Sequence, residues 1–92
     1  MREIKLTSQF KRDYKKRARE KGLDDLLDLL EKVIDLLSTG QSLNARLRDH
    51  PLKGGYAGCR ECHLKPDLLL IYIQTDEELQ LVRLGSHSDL FA

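Results

Sequence analysis

Two runs of strand-forming residues in the C-terminal half constrain the fold of this chain most strongly. Residues 68–74 are almost entirely apolar, and residues 79–84 alternate apolar with polar side chains. A polar turn at residues 75–78 separates them. A second turn, at residues 65–67, precedes the first run and follows a further strand-like stretch that includes the two cysteines. Strands joined by connections this short pair antiparallel, so these residues predict a three-stranded meander.

The N-terminal segment predicts one further strand and a basic helix. Residues 2–6 alternate in polarity and predict a short first strand. Thr7 and Ser8 are good N-cap residues, and Gly22 suits a helix C-terminus. The helix between them carries a narrow apolar stripe at four-residue spacing. Its members are Phe10, Tyr14 and Ala18.

A second helix is predicted over residues 23–39, and its apolar positions follow the helical period closely. These positions are Leu23, Leu26, Leu27, Leu30, Val33, Ile34 and Leu37. Two helices with a short link form an antiparallel hairpin, whose leucine face must be buried against the sheet. Residues 41–55 show little periodicity and predict a long loop.

We therefore predict a single α+β domain over residues 1–92. A helical hairpin packs on a twisted, mostly antiparallel sheet of about four strands. The longest apolar run, residues 68–73, is far too short to cross a membrane. No stretch near the N-terminus resembles a signal peptide, so we expect a cytoplasmic protein.

Charge is segregated along the chain even though the formal net charge is only +1. Residues 1–21 contain nine Lys or Arg and three acidic residues, whereas residues 22–39 carry a net negative charge. The basic segment would attract a polyanion such as RNA. The alternative interpretation is an ordinary solvated helix face.

The Cys-x-x-Cys-His pattern formed by Cys59, Cys62 and His63 matches the motif for covalent haem attachment. The absence of an export signal and the strand character of the stretch argue against haem. On a strand, residues three apart face opposite sides, about 10 Å apart along the strand. This separation disfavours a disulfide and shared zinc ligation. We therefore predict no cofactor and no metal, and expect the cysteines to be small buried residues.

The three histidines offer a better candidate site. His50, His63 and His87 all follow residue 49, and loops at strand ends would gather them with Asp67 and Arg83. Histidine can accept or donate a proton near neutral pH, and an arginine can hold two phosphate oxygens. Phe91 could stack on a base. These side chains together would serve metal-free cleavage of RNA by in-line attack of the 2′-hydroxyl.

Three short motifs carry a resemblance to a known family. They are Asp49-His50-Pro51-Leu52, His63-x-x-Pro66-Asp67, and Arg83-x-Gly85-x-His87 running on to Leu90-Phe91. With the order strand, basic helix and leucine-rich helix, the chain resembles, end to end, bacterial toxins of the YafQ type in the RelE/ParE superfamily. The resemblance implies an endoribonuclease that cuts messenger RNA on the ribosome and is neutralised by a cognate antitoxin.

The resemblance also implies residue roles. His50, His63, Asp67 and His87 match the catalytic set, Arg83 the phosphate-stabilising arginine, and Phe91 the aromatic residue near the scissile nucleotides. Two positions depart from the pattern, because Leu68 and Tyr56 stand where such toxins carry an aromatic and a larger aromatic, respectively. These departures concern substrate fit rather than reaction class.

The remaining expectations concern an RNA-binding surface, the proton donor and two alternative functions. We expect Lys15, Lys16 and Arg19 to dock on ribosomal RNA, near the antitoxin, and His87 to act as general acid from a flexible tail. Two alternatives stay open: a superfamily member that poisons DNA gyrase by binding, and a non-catalytic RNA-binding module. Neither needs the proton-transfer groups described above.

Overall fold

The computed structural model describes residues 2–21, 26–40 and 47–91, which form a mixed sheet with helices. The order is β1 (Glu3–Leu6), α1 (Ser8–Lys21), α2 (Leu26–Ser38), β2 (His50–Pro51), β3 (Arg60–Lys65), β4 (Leu68–Gln74), β5 (Glu78–Gly85) and α3 (His87–Phe91). The sheet order is β1-β5-β4-β3-β2, and only the β1–β5 pair is parallel. The predicted α+β class is confirmed. Within the described ranges, no helix has the length and apolar character needed to cross a membrane.

The predicted meander β3–β4–β5 forms with the predicted turns. In the second turn, the Thr75 hydroxyl accepts hydrogen bonds from the amides of Glu77 and Glu78, at 3.3 and 2.9 Å. The stretch that contains the two cysteines forms a strand as predicted, and β3 begins at Arg60. The chain makes a 3₁₀ turn over Gly54–Tyr56 and then passes Gly58 at a φ of 90°, a conformation that glycine adopts readily.

The described part of the predicted loop contains a fifth strand, one more than expected. Residues 41–46 of that loop lie outside the described residues. The two residues of β2 pair antiparallel with β3, His50 opposite Glu61 and Pro51 opposite Arg60. A strand this short has no detectable period, which is why the sequence did not reveal it.

Thr7 starts α1 as predicted and also fixes it to the sheet. Its hydroxyl accepts a hydrogen bond from the Phe10 amide at 3.0 Å, the geometry of an N-cap. The same hydroxyl donates to the carbonyl of Val82 in β5 at 2.7 Å. The predicted end of α1 at Gly22 and the predicted start of α2 at residue 23 lie outside the described residues.

Apolar side chains are buried on both faces of the sheet. The larger cluster lies between the sheet and helices α1 and α2, and it includes Phe10, Leu30, Leu70 and Tyr72. The second cluster lies on the opposite face. It contains Cys59, Leu69, Ile71 and Leu90, with Leu52, Tyr56, Ile73 and Val82 packed against it.

Six positions of the predicted apolar stripe of α2 are described, and four of them are buried as predicted. These four are Leu26, Leu30, Val33 and Leu37. Ile34 is partly buried, and Leu27 is wrong as a core residue because 46% of it is exposed. Leu23 lies outside the described residues. The sheet therefore covers a narrower arc of α2 than the leucines alone suggest.

Replacing Leu30 with alanine should destabilise the protein far more than replacing Leu27. Leu30 is 5% exposed, so its loss leaves a cavity, at a cost of about 2–5 kcal/mol. Leu27 loses little burial, and its replacement should cost under about 1 kcal/mol. Urea unfolding followed by circular dichroism measures both, and equal losses would contradict the assigned faces of α2.

Candidate active site

The candidate site lies on the sheet face that α1 and α2 leave open. The strand register places four residues in one row across β2, β3, β4 and β5: His50 pairs with Glu61, Glu61 with Ile71, and Ile71 with Arg83. Side chains two apart on a strand share a face, so His63 stands beside Glu61. The fold thus brings residues from four separate segments onto one surface.

Glu61 joins two of the predicted histidines. One oxygen, Oε1, lies 3.2 Å from Nε2 of His50 and 3.1 Å from Nε2 of His63. The Glu61 side chain is only 6% exposed. A carboxylate in such a place needs polar partners, and the two imidazoles supply them. We call His50, Glu61 and His63 the base cluster.

His87 and Asp67 form a pair next to the base cluster. The ring centroids of His63 and His87 are 5.7 Å apart, against 6.4 Å between His50 and His63. Oδ1 of Asp67 lies 2.7 Å from Nδ1 of His87 and accepts the His87 backbone amide at 3.0 Å. These contacts, the backbone hydrogen bond first, lower the pKa of Asp67. The Asp67 carboxylate accepts a hydrogen bond from Nδ1–H of His87, which leaves Nε2 of His87 for proton exchange.

Arg83 is held by two neighbours. Its Nε and Nη2 donate to the Asp13 carboxylate at 2.7 and 3.2 Å, and its Nη1 donates to the Tyr56 hydroxyl at 3.1 Å. The hydrogen bonds to Asp13 are the main reason that the pKa of Arg83 is raised further. Arg83 is therefore charged at every pH at which the protein folds.

Phe91 lies against Tyr56 and not in the core. It is 46% exposed, and its ring meets that of Tyr56 edge to face at 5.8 Å between centroids. Tyr56, noted above as a departure from the family pattern, therefore contacts both Phe91 and Arg83. An exposed aromatic ring at this place is available for stacking.

The predicted flexible tail after β5 is wrong, because α3 occupies it. The Ser86 amide donates to the Asp89 carboxylate and the Asp89 amide donates to the Ser86 hydroxyl, each at 3.1 Å. These reciprocal bonds form a capping box at the start of a helix. Leu90 is buried in the second cluster, and a Cβ on Gly85 would lie 3.0 Å from that of Asp89. His87 is thus carried by a packed helical turn.

The basic residues proposed for RNA contact are exposed on α1, but only one of them reaches the site. Lys16 lies 3.6 Å from Asp89 and 4.0 Å from Glu20. It lines a cleft of about 540 Å³ that Asp67 and Ser86 also border. Lys15 lines a separate apolar groove between α1 and α2, and Arg19 is exposed.

The base cluster also has the composition of a metal site. Two imidazole nitrogens and a carboxylate oxygen lie within 4.8 Å of one another, and no other group of this kind is found among the described residues. Such donors suit a zinc or copper ion. The cysteines take no part, since Cys59 and Cys62 are free and belong to opposite faces, as predicted. Burial raises the pKa of the Cys62 thiol to about 12.

Three site residues were not predicted from the sequence. Glu61 could have been found from the sequence, because it lies two residues from His63 and so shares its face of the strand. No sequence pattern links Asp13 to the site, because it is 70 residues from Arg83. Asp49 anchors the loop before β2 by accepting hydrogen bonds from Nε and Nη2 of Arg60, at 3.1 and 3.2 Å, and from the Tyr72 hydroxyl. This anchor positions its neighbour, His50.

The Asp13 carboxylate should make stability depend on pH. Burial alone would raise its pKa, but hydrogen bonds from Arg83 and the Leu84 amide outweigh burial and hold the pKa below the ordinary 3.8. The stabilisation is therefore complete above that ordinary value and is lost as the pH falls through the folded value. The difference in unfolding free energy between wild type and Asp13→Asn should be full at pH 7 and shrink below about pH 4. A constant difference in urea unfolding down to about pH 2.5 would contradict this.

Comparisons with known proteins identify the family and the fold of the chain. The family model described as "Bacterial toxin of type II toxin-antitoxin system, YafQ" matches residues 2–92. The mRNA interferase toxin YafQ of Escherichia coli K12 is 36% identical over 90 residues, 98% of this chain and 96% of that protein. The E. coli DinJ–YafQ toxin–antitoxin complex contains a chain with a TM-score of 0.85, 34% identity, and coverage of 99% of this chain and 98% of that one.

A metal-bound toxin from Helicobacter pylori has the same fold. Its TM-score is 0.85, and it is 47% identical with coverage of 99% of this chain and all of that one. The family model matches nearly the whole length of the chain, and these relatives are similar to it over nearly their whole length. Both findings assign the chain to one family. The chain belongs to the YafQ family of bacterial toxins from type II toxin–antitoxin systems.

Proposed function

We propose that this protein is an endoribonuclease that cleaves messenger RNA bound to the ribosome and that a cognate antitoxin neutralises it. The observation that carries the proposal is the base cluster lying 5.7 Å, ring to ring, from an imidazole held by a carboxylate. General acid–base cleavage needs a proton acceptor and a donor on either side of one phosphate. The related E. coli toxins are mRNA interferases, and one is solved with its antitoxin DinJ, which supports both halves of the proposal.

The mechanism is transesterification. The base cluster takes the proton of the ribose 2′-hydroxyl, whose oxygen attacks the adjacent phosphorus. His87, held by Asp67 through Nδ1, gives a proton from Nε2 to the departing 5′-oxygen. The products are a 2′,3′-cyclic phosphate, or its hydrolysed form, and a 5′-hydroxyl. Every proton is carried by a side chain of the site, so no step uses a metal ion.

Arg83 and Phe91 act on the rest of the substrate. The guanidinium stays charged and can stabilise the negative charge that builds on the phosphate oxygens. Phe91, exposed and in contact with Tyr56, can stack on a base next to the scissile bond. Lys15, Lys16 and Arg19 add a basic surface on α1 that suits ribosomal RNA.

Expression of the protein alone in bacteria should arrest growth and cut messenger RNA inside reading frames. The site has the groups for RNA cleavage, and co-expression of the cognate antitoxin should restore growth. The measurement is mapping of messenger 5′ ends after induction. Intact messenger with damaged DNA would instead identify a gyrase poison, and intact messenger with bound RNA would identify a non-catalytic binding module.

The same cleavage should persist on purified ribosomes in excess chelator. The donors that suit a metal ion are the proton acceptors of the mechanism, so added zinc or copper should inhibit by occupying the base cluster. Cleavage that is lost in chelator and restored by zinc would show that the reaction needs the metal.

Arg83 and His87 should differ in their effect on the pH profile. Arg83→Gln should lower the single-turnover rate about 10²–10³-fold at every pH, because it removes a fixed charge. Glutamine is preferred to alanine since it leaves the Asp13 carboxylate, which is 9% exposed, with a hydrogen-bond donor. His87→Ala should remove one limb of the profile between about pH 5.5 and 9, a range that brackets the ordinary histidine pKa. A His87→Ala profile with both limbs would transfer the acid role to His63 or His50.

Neutralising the basic surface should weaken ribosome binding more than catalysis. Replacement of Lys15, Lys16 and Arg19 by glutamine removes three positive charges, so binding should weaken and depend less steeply on salt. Sedimentation with ribosomes across a salt series measures this. The matched control replaces exposed Lys32 on α2. Unchanged binding across the series would make α1 an ordinary solvated face.

A further inference from the structure

Asp13 is a largely buried acid on the most basic helix of the protein, and no step of the proposed mechanism uses it. Its side chain is 9% exposed. Oδ2 accepts hydrogen bonds from Nε of Arg83 at 2.7 Å and from the Leu84 amide at 3.0 Å. Oδ1 accepts from Nη2 of Arg83 at 3.2 Å and from the Gln9 side chain at 3.1 Å. Four donors thus converge on one carboxylate.

The bond to Leu84 explains why Asp13 is in this place. β1 pairs with β5 only through residue 81, so beyond that residue the edge of β5 has no neighbouring strand among the described residues. α1 runs along this edge, and Asp13 accepts the amide that β1 does not reach. The carboxylate is therefore fixed by the backbone of β5 as well as by the side chain of Arg83.

This arrangement leaves one end of Arg83 available. A guanidinium has five N–H donors. Asp13 takes one at Nε and one at Nη2, and the Tyr56 hydroxyl takes one at Nη1. Among the described residues, one donor on each terminal nitrogen is left, and these two donors can bond phosphate oxygens.

We propose that Asp13 is a positioning residue of the nuclease, which holds the Nε side of Arg83 so that its terminal N–H pair faces the scissile phosphate. This inference rests on the proposed function. The ion pair reduces the net charge at the phosphate site, so Asp13 does not strengthen the binding of RNA before reaction. Its contribution is orientation, which appears in the rate of the chemical step.

Asp13→Asn is the informative variant because it separates orientation from folding. The asparagine oxygen can keep the bonds from Leu84 and from Nε of Arg83. The amide nitrogen replaces Oδ1, so the charge and the second bond to Arg83 are lost. Asp35→Asn, an exposed site on α2, is the matched control for the loss of one acidic charge.

Single-turnover cleavage of ribosome-bound messenger should be measured for wild type, both asparagine variants, Arg83→Gln and the double variant Asp13→Asn/Arg83→Gln. Asp13→Asn should lower the saturating rate about tenfold, while the half-saturating ribosome concentration stays the same or falls. The double variant should be no slower than Arg83→Gln, since Asp13 acts through Arg83. The Asp35→Asn rate should equal that of wild type.

A wild-type rate for Asp13→Asn would overturn the inference, and so would penalties that multiply in the double variant. Failure of wild-type protein to cut messenger would instead refute the proposed function. Titration with inorganic phosphate, followed by ¹⁵N resonances of Arg83, decides the inference in that case. The terminal N–H signals should shift while those of Nε–H and the Leu84 amide do not. Unmoved terminal signals, or displacement of Nε–H, would make Asp13 a competitor of phosphate rather than its positioning partner.

Discussion

Burial of β4 on both faces is the constraint on which the rest of the structure depends. Leu68, Leu70 and Tyr72 pack toward α1 and α2, whereas Leu69 and Ile71 belong to the opposite cluster. A strand that is apolar on both sides needs two covering layers. The helices α1 and α2 supply the layer on one face. On the other face, α3 and the turn before β3 cover only part of the sheet, and the histidines and Glu61 of the candidate site lie beside that cover.

The charged side chains of the candidate site are arranged in neighbouring pairs. Glu61 lies between two imidazoles, Asp67 holds a third, and Asp13 holds Arg83. Each carboxylate has a cationic or protonatable partner, so the two buried ones, Glu61 and Asp13, are not left as isolated charges. The acidic residues thereby fix the orientation of their partners.

Local patterns in the sequence were enough to predict the helices, the meander and its turns, because these depend on periodicity and on turn chemistry within a few residues. The three histidines and Asp67, expected at strand ends, do lie together, and Arg83 stands in the same row across the sheet; their catalytic roles stay a prediction. Glu61 lies inside the Cys-x-x-Cys-His motif, and Ser86 and Asp89 lie in the segment that was expected to be a flexible tail. Both had local sequence signals, but neither was predicted. Asp13 and the pairing of β2 depend on contacts between distant segments, which periodicity does not encode.

The five residues of α3 are too few to hold a helix by themselves. Their order depends on one buried leucine, Leu90, on the reciprocal bonds between Ser86 and Asp89, and on the two bonds from His87 to Asp67. Such a segment can open without the meander, because few contacts have to be broken. His87 would leave the site in that open form while the sheet stayed intact. On heating, the protein should therefore lose the proposed proton donor before it melts, and its inactivation and unfolding temperatures should differ.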